Sequence, residues 1–241
     1  MTPTRPEQVA ETIELTRSRF RSAGLEAAWD RVIAVVVQPG VEFGDTDVAV
    51  YRPERAQALS AFHDHLPNRM TYEIHSTDFQ PPDALKRLVR DHFGLLKVGP
   101  CLTFAFREAV FALAHIETEW LGGRRGGRLS GLRDALENVM LENPGHWQAH
   151  YTGAPDAQHW MRAFSYRDRI RYYWRHPTIV SALSRLFKNL SHPIPPGLIR
   201  QYFPDLYPGI EAGVHDGAPA SLIRRRIQAA LAPYADACRR G

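Results

Sequence analysis

The sequence predicts an α/β fold that consists of the end of a (β/α)8 barrel followed by a helical C-terminal region. Three short apolar runs, at Val32–Val37, Met70–His75 and Phe93–Val98, each precede a helical pattern, and their connections are too long for hairpins. Such repeats indicate a parallel sheet. A closed barrel needs eight strands, so three strands leave it incomplete. Three explanations of this small strand number remain open: a partner supplies the rest of the barrel, the chain is truncated, or the fold is a small open sheet.

The first half of the chain alternates helical and strand patterns. Thr4 and Glu7 match a Thr-x-x-Glu capping box, and Gly24 is a typical helix end, so a first helix is expected between them. The run Val32–Val37 is β-branched and apolar on both faces, as buried parallel strands are. Further helices are predicted at Pro53–Leu66, Pro82–His92 and Thr103–Trp120.

A glycine- and arginine-rich segment, 123–127, is predicted to link two regions of different character. Residues 1–122 form the partial barrel of three βα units, and residues 128–241 form the helical region. Helices in this second region are predicted at Leu129–Leu141, Tyr166–Trp174, Pro177–Leu190 and Pro219–Ala237. The arginine- and tyrosine-rich stretch at Tyr166–His176 predicts core packing beneath a solvated basic face, with anion binding as the alternative.

Composition excludes several classes of protein. With 241 residues, 44% hydrophobic and 23% charged, the chain is typical of a globular protein. It shows no secretory signal and no apolar run of about 20 residues, so no membrane partner and a cytoplasmic location are expected. The net charge of +4 comes mainly from scattered arginines, which argues against nucleic-acid binding. Two cysteines cannot form a disulfide scaffold or a Cys-rich zinc site.

Polar residues follow each predicted strand, where barrel enzymes carry their chemistry. They are Gln38 and Glu42 after the first strand, Glu73, His75 and Asp78 at the second, and Lys97 and Gly99 at the third. Glu73 and His75 are two residues apart and so share a face of the strand. They could share a divalent metal, act as acid and base on a sugar carbon, or form a structural ion pair. Lys97 could form a Schiff base, bind an anion or pair with Glu73.

The segment from Gly99 to Thr103 leads into the N-terminus of a long predicted helix. Free backbone N–H groups at such a terminus can hold a phosphate group. A simple helix cap formed by Thr103 is the alternative. The sequence contains neither a P-loop nor a Gly-x-Gly-x-x-Gly pattern after a strand.

Several motifs, in order along the chain, resemble the GatZ/KbaZ proteins, the non-catalytic subunits of class II D-tagatose-1,6-bisphosphate aldolase. The motifs are Val35–Phe43, Tyr72–Asp78, Val89–Phe93, Leu96–Pro100, Thr103–Ala109 and Asp168–Trp174. Family members are TIM barrels of about four hundred residues. The resemblance runs from about Pro6 to the C-terminus and covers only the C-terminal part of such proteins. It therefore implies the C-terminal portion of a TIM barrel.

The resemblance implies an accessory subunit that supports a separate, zinc-using catalytic aldolase subunit in tagatose, galactitol or N-acetylgalactosamine catabolism. Some relatives look like metal-dependent ketohexose or ketohexose-phosphate 4-epimerases, and older labels call the family tagatose-6-phosphate kinases. An epimerase, or an inactive fragment of either protein, is therefore the alternative. The expected partners are the catalytic subunit and a sugar phosphate, and the oligomeric state stays open.

Combining the resemblance with the chemistry of the residues assigns roles at the barrel mouth. The expected catalytic residues are Glu73, His75 and Lys97. The expected substrate- or phosphate-binding residues are Gln38, Glu42, Gly99 and Thr103. The expected ligands of a divalent metal, Zn²⁺ or Mn²⁺, are His75, Glu73 and Asp78.

Overall fold

The computed structural model describes residues 1–67, 70–123 and 128–239. Within these ranges the strands are β1 Ala34–Val37, β2 Glu42–Phe43, β3 Val48–Ala49, β4 Thr71–Ile74 and β5 Leu95–Leu96. The helices there are α1 Pro6–Ser22, α2 Glu26–Trp29, α3 Pro53–Phe62, α4 Pro82–Arg90, α5 Pro100–Leu121, α6 Leu132–Glu142, α7 Pro155–Phe164, α8 Pro177–Asn189, α9 Pro196–Tyr202, α10 Tyr207–Glu211 and α11 Pro219–Arg239. The predicted α/β class with a helical C-terminal region is confirmed.

A three-stranded parallel sheet in the order β1-β4-β5 confirms the predicted strand arrangement. Ala34 lies opposite Thr71, and Glu73 lies opposite Leu95. The strands are shorter than predicted: β1 begins at Ala34 rather than at Val32, and β5 comprises Leu95 and Leu96. A second, antiparallel pair, β2 and β3, was not expected. It is closed by a turn in which the Gly44 N–H donates to the Asp47 carbonyl at 2.9 Å.

The chain divides into two compact units. The first comprises residues 1–99 together with the end of α11 from Leu231, and the second comprises residues 100–230. The division at Gly99 differs from the predicted link at 123–127. Helix α5 groups with the later helices because Val110, Leu113 and Ile116 are part of the second unit's core. Residues 124–127 of the predicted link lie outside the described residues, so the link itself stays a prediction.

One face of the sheet in the first unit is buried and the other is open. Val37, Tyr72 and Ile74 point into an apolar core with residues of α3 and α4. On the opposite face Val36 is 57% exposed and Leu95 is 37% exposed. Parallel sheets are ordinarily covered on both faces. Among the described residues, this sheet is covered on one.

The start of α1 corrects a predicted cap. The backbone N–H of Arg5, which precedes the helix, donates to the Gln8 side chain at 3.0 Å, so the capping pair is shifted by one residue from Thr4 and Glu7. Thr4 instead pairs with the end of β1. Its N–H donates to the Gln38 carbonyl at 2.8 Å, and its hydroxyl accepts from the Gln38 N–H at 2.9 Å.

The helical second unit departs from prediction at the arginine-rich stretch. The helix predicted over Tyr166–Trp174 is wrong: only a 3-10 turn at Arg169–Tyr172 forms. Asp168 has a left-handed backbone, with φ 44°. Its carboxylate is buried, pairs with the Arg107 guanidinium at 3.2 Å and accepts the Thr103 hydroxyl at 2.5 Å. These tertiary contacts override the local helical pattern.

Glu117 of α5 is a buried carboxylate that fixes the approach to α6. Its oxygens accept the Ser130 N–H at 2.9 Å, the Ser130 hydroxyl at 2.5 Å and the Asn189 side-chain N–H at 2.5 Å. Three donors converge on one buried charge, which such a group needs in order to be tolerated.

No helix in the described part of the chain is long and apolar enough to cross a membrane.

The open and buried faces of β1 can be compared directly. Val37→Thr is expected to lower the free energy of unfolding by about 1–3 kcal/mol, because its hydroxyl would be buried without a partner. Val36→Thr is the matched control on the open face and should change it by less than about 0.5 kcal/mol. Urea denaturation followed by circular dichroism measures both. Equal losses would contradict the assignment of the faces.

Glu117→Ala is expected to lower the free energy of unfolding by about 3 kcal/mol, because it leaves buried donors unpaired. Glu119→Ala, an exposed glutamate on the same helix, is the control and should have little effect. The same denaturation measurement applies. A similar effect from both variants would argue against a structural role for the Glu117 network.

Candidate functional site

The carboxyl ends of β4 and β5 bring three of the predicted residues together. Strand side chains alternate between faces, so Glu73 and His75 both lie on the open face. The Lys97 N–H donates to the Ile74 carbonyl at 2.9 Å, which extends the β4–β5 pairing by one step. Lys97 therefore lies beside Glu73 and His75. We call these three residues the edge triad.

The geometry of the edge triad centres on one carboxylate oxygen. Glu73 Oε1 lies 2.6 Å from Lys97 Nζ and 3.0 Å from His75 Nε2. The Glu73 side chain is 20% exposed, whereas those of His75 and Lys97 are 53% and 60% exposed. Hydrogen bonds from Lys97 and then His75 lower the pKa of Glu73. The triad thus presents two nitrogen groups to solvent around a recessed carboxylate.

The loop after β4 is held by long-range hydrogen bonds. The Thr77 hydroxyl donates to the Lys97 carbonyl at 2.6 Å, and the Tyr234 hydroxyl donates to the Thr77 carbonyl at 2.6 Å. Ser76 and Phe79 have φ values of 56° and 60°, which are uncommon for residues other than glycine. Sequence reasoning missed Thr77 and Tyr234. No local signal could reveal the second, because it lies 157 residues away.

Asp78 and Gly99 contact one another. The buried Asp78 carboxylate accepts the Gly99 backbone N–H at 2.9 Å. This bond ties the loop after β4 to the segment after β5. The Gly99 N–H, which was predicted to bind phosphate, is therefore already used within the protein.

Gln38 and Glu42 make local hydrogen bonds. Gln38 Oε1 accepts the N–H groups of Gly40 at 2.7 Å and Val41 at 2.9 Å, which closes the turn after β1. Gly40 has φ +99°, a conformation that favours glycine. Glu42 Oε1 accepts the N–H of Phe43 at 3.0 Å. The Gln38 side-chain oxygen thus shapes the turn, and a substrate role for Gln38 and Glu42 stays a prediction.

Thr103 lies in the second unit, in the first turn of α5. Its hydroxyl donates to Asp168, and it also lies 3.1 Å from the Pro100 carbonyl. Burial raises the pKa of Asp168, against the opposing effects of Thr103 and Arg107. Burial also lowers the pKa of Arg107. A phosphate at this hydroxyl would have to compete with a short bond to a buried carboxylate.

The edge triad does not fit a divalent metal in this arrangement. Glu73 Oε1 is bonded to both the Lys97 ammonium and His75 Nε2, so a metal ion would have to displace both bonds to bind this oxygen and the His75 nitrogen. Asp78 is engaged with Gly99. Glu73 and His75 alone would also be fewer than the three or four protein ligands that zinc sites ordinarily use.

A cavity of about 530 Å³ lies in the second unit, lined by residues of α5, α6 and α7. Several of its polar groups bond to one another: Glu137 pairs with Arg162 at 2.5 Å and with His159 at 2.9 Å, and Arg133 bonds His115 at 3.0 Å. None of the predicted site residues lines it. The edge triad, with its nitrogen groups exposed, is the stronger candidate site.

The edge triad thus lies at the carboxyl edge of a parallel sheet, where α/β proteins commonly bind their ligands. A family model described as "D-tagatose-1,6-bisphosphate aldolase subunit GatZ/KbaZ-like" matches residues 1–239. The chain belongs to this family, which confirms the resemblance found in the sequence.

A solved structure supports the same relationship. It is the crystal structure of a probable tagatose 6 phosphate kinase from Sinorhizobium meliloti 1021. The two chains are 41% identical with a TM-score of 0.92, and the match covers 98% of this chain. This chain spans 60% of the length of that protein.

Lys97→Met is expected to raise the pKa of Glu73 towards the ordinary glutamate value, because the largest cause of its lowering is removed. In the parent protein the pairing of Glu73 with Lys97 stabilises the fold fully at pH values above the ordinary glutamate pKa. This stabilisation is lost as the pH falls through the lowered pKa of Glu73. NMR titration of the Glu73 side-chain carboxyl carbon measures the shift. Lys86→Met, which removes an exposed lysine that pairs with Asp83, is the control. An unchanged Glu73 titration in Lys97→Met would contradict the pairing.

Proposed function

We propose that the chain acts as part of the accessory, non-catalytic subunit of a class II D-tagatose-1,6-bisphosphate aldolase. The match to the subunit family over residues 1–239 carries this proposal. The subunit would stabilise a separate catalytic subunit through protein contacts and serve tagatose, galactitol or N-acetylgalactosamine breakdown in the cytoplasm. Zinc, when present in that partner, supplies the aldol chemistry there.

The sheet is proposed to form the C-terminal portion of a (β/α)8 barrel. Two observations favour this. The face that carries Val36 and Leu95 is exposed, whereas parallel sheets in barrels are covered on both faces. The chain also spans 60% of the length of a 41% identical protein. The remaining strands would come from polypeptide outside these 241 residues, in the same chain or in another, and would cover this face.

The edge triad is proposed to bind a sugar phosphate. Lys97 and His75 present nitrogen donors at the strand ends, where barrels place their ligands. Lys97 is 60% exposed and ion-paired with Glu73 at 2.6 Å, whereas Schiff-base lysines are activated in an apolar pocket or beside another cation. The pairing therefore favours anion binding by Lys97 over covalent catalysis, which agrees with an accessory role.

A ketohexose 4-epimerase is the second candidate, and one observation favours it. His75 and Glu73 share a hydrogen bond of 3.0 Å, which is the geometry of an acid–base pair. In such an enzyme His75 would exchange a proton with the sugar, and Glu73 would hold the imidazole ring of His75 in place. The two candidates differ in whether His75 is needed for turnover.

We expect the untagged chain to co-purify with a catalytic class II aldolase subunit and to lengthen the half-life of its activity. Lys97→Met should weaken tagatose-1,6-bisphosphate binding by about tenfold, because a charge-assisted hydrogen bond is lost. Lys86→Met, the control, should leave this binding unchanged. Neither variant should abolish the half-life effect, since that effect depends on protein contacts elsewhere. Aldolase decay curves and ligand titration are the two measurements.

Failure to co-purify, together with an unchanged half-life, would reject the accessory role. Interconversion of tagatose and fructose derivatives by this chain alone, abolished in His75→Ala and retained in His65→Ala, would establish the epimerase instead. His65 is a suitable control because its ring stacks on Phe62, outside the edge triad.

A further inference from the structure

A second polar cluster lies on the amino side of the sheet, before the strands begin. It consists of His63 and Asp64, which follow α3, and His92, which follows α4. One ligand atom of each residue lies within 4.8 Å of the others. Among the described residues, no other group of three histidine, cysteine or acidic side chains has its ligand atoms within this distance of one another. The edge triad lies at the other ends of β4 and β5.

The two histidines of this cluster are held in place by the first residues of β4. The imidazole rings of His63 and His92 stack, with centroids 4.3 Å apart and planes 8° from parallel. The His63 ring also packs edge-on against Tyr72 at 5.8 Å. The Thr71 hydroxyl donates to the His92 carbonyl at 3.1 Å. These contacts bring the two histidines together at the start of β4.

Two features of the cluster are unfavourable without a ligand. His63 Nδ1 is buried and has no hydrogen-bond partner among the described residues, and it lies 3.6 Å from Asp64 Oδ1. An unpaired buried nitrogen of this kind costs about 1–3 kcal/mol. His92 also has φ +74°, which is strained for a residue with a side chain. Backbone strain and an unpaired nitrogen in one small cluster are typical of a binding site.

We propose that His63, Asp64 and His92 bind one divalent transition-metal ion, with Zn²⁺ the best match. Two imidazole nitrogens and one carboxylate oxygen form a common donor set for Zn²⁺, and water would complete the tetrahedron. Mg²⁺ and Ca²⁺ prefer oxygen ligands and would bind poorly. Tetrahedral zinc places its ligand atoms roughly 3.4 Å apart. Because a metal ion lies in the plane of the imidazole that binds it, at least one of the two stacked rings must turn out of the stack to bind the ion. Asp64 is largely exposed to solvent, and unlike Glu73 it has no lysine partner among the described residues.

A metal ion at this position would join two loops. His63 and Asp64 belong to the connection that leads to β4, and His92 belongs to the connection that leads to β5. In (β/α) architectures the amino ends of the strands contribute mainly to stability, whereas the carboxyl ends carry chemistry. The ion would therefore stabilise the sheet without taking part in a reaction at the edge triad.

Calorimetric titration of the untagged chain with Zn²⁺ tests the proposal. We expect one Zn²⁺ per chain, no saturable Mg²⁺ binding, and a higher melting temperature with Zn²⁺. His63→Gln and His92→Asn should each weaken Zn²⁺ binding by at least about tenfold. Asparagine is chosen at position 92 because it tolerates positive φ. His65→Gln is the control and should bind Zn²⁺ like the parent.

Equal Zn²⁺ affinity in the parent and in the His63→Gln, His92→Asn double variant would overturn the proposal, as would binding without a fixed stoichiometry. If circular dichroism shows that His92→Asn is misfolded, the absorption spectrum of the Co²⁺-loaded parent decides. The site is supported if the parent shows intense visible bands and these are weaker in His63→Gln. It is rejected if the parent shows no such bands or if the variant leaves them unchanged. His75→Gln should leave all these readings unchanged, which separates this site from the edge triad.

Discussion

The alternation of side chains along β4 is the constraint on which the first unit depends. Tyr72 and Ile74 must enter the apolar core, and Glu73 and His75 must then face the other way. A slip of one residue in the pairing with β1 would bury a carboxylate and an imidazole and expose a tyrosine. The same register that builds the core therefore also places the charged groups at the open face.

This constraint explains why much of the first unit could be predicted from sequence. The β-branched run ending at Val37 and the spacing of Glu73 and His75 are local patterns with direct structural meaning. The pairing of Lys97 with Glu73 was one of the alternatives that the sequence left open, and the structure shows it. Strand lengths were overestimated because apolar residues beside a strand resemble those within it.

Other features depend on contacts that no local pattern encodes. Asp168 leaves the helical conformation for a buried pairing with Arg107, 61 residues earlier in the chain. The cluster of His63 and His92 forms because two loops meet at the start of β4. The β2–β3 pair consists of two-residue strands, too short for any periodicity to show. The helical C-terminal region was predicted correctly, but its tertiary contacts were not.

The hydrogen bond from Tyr234 to Thr77 has a consequence for how the protein is made. The loop after β4 is anchored by a residue only a few positions from the end of these 241 residues. During synthesis, Thr77 emerges from the ribosome long before Tyr234. The loop after β4 can therefore form this hydrogen bond only once α11 has been made. The polar edge of the sheet is therefore completed only after nearly all of this sequence has been translated.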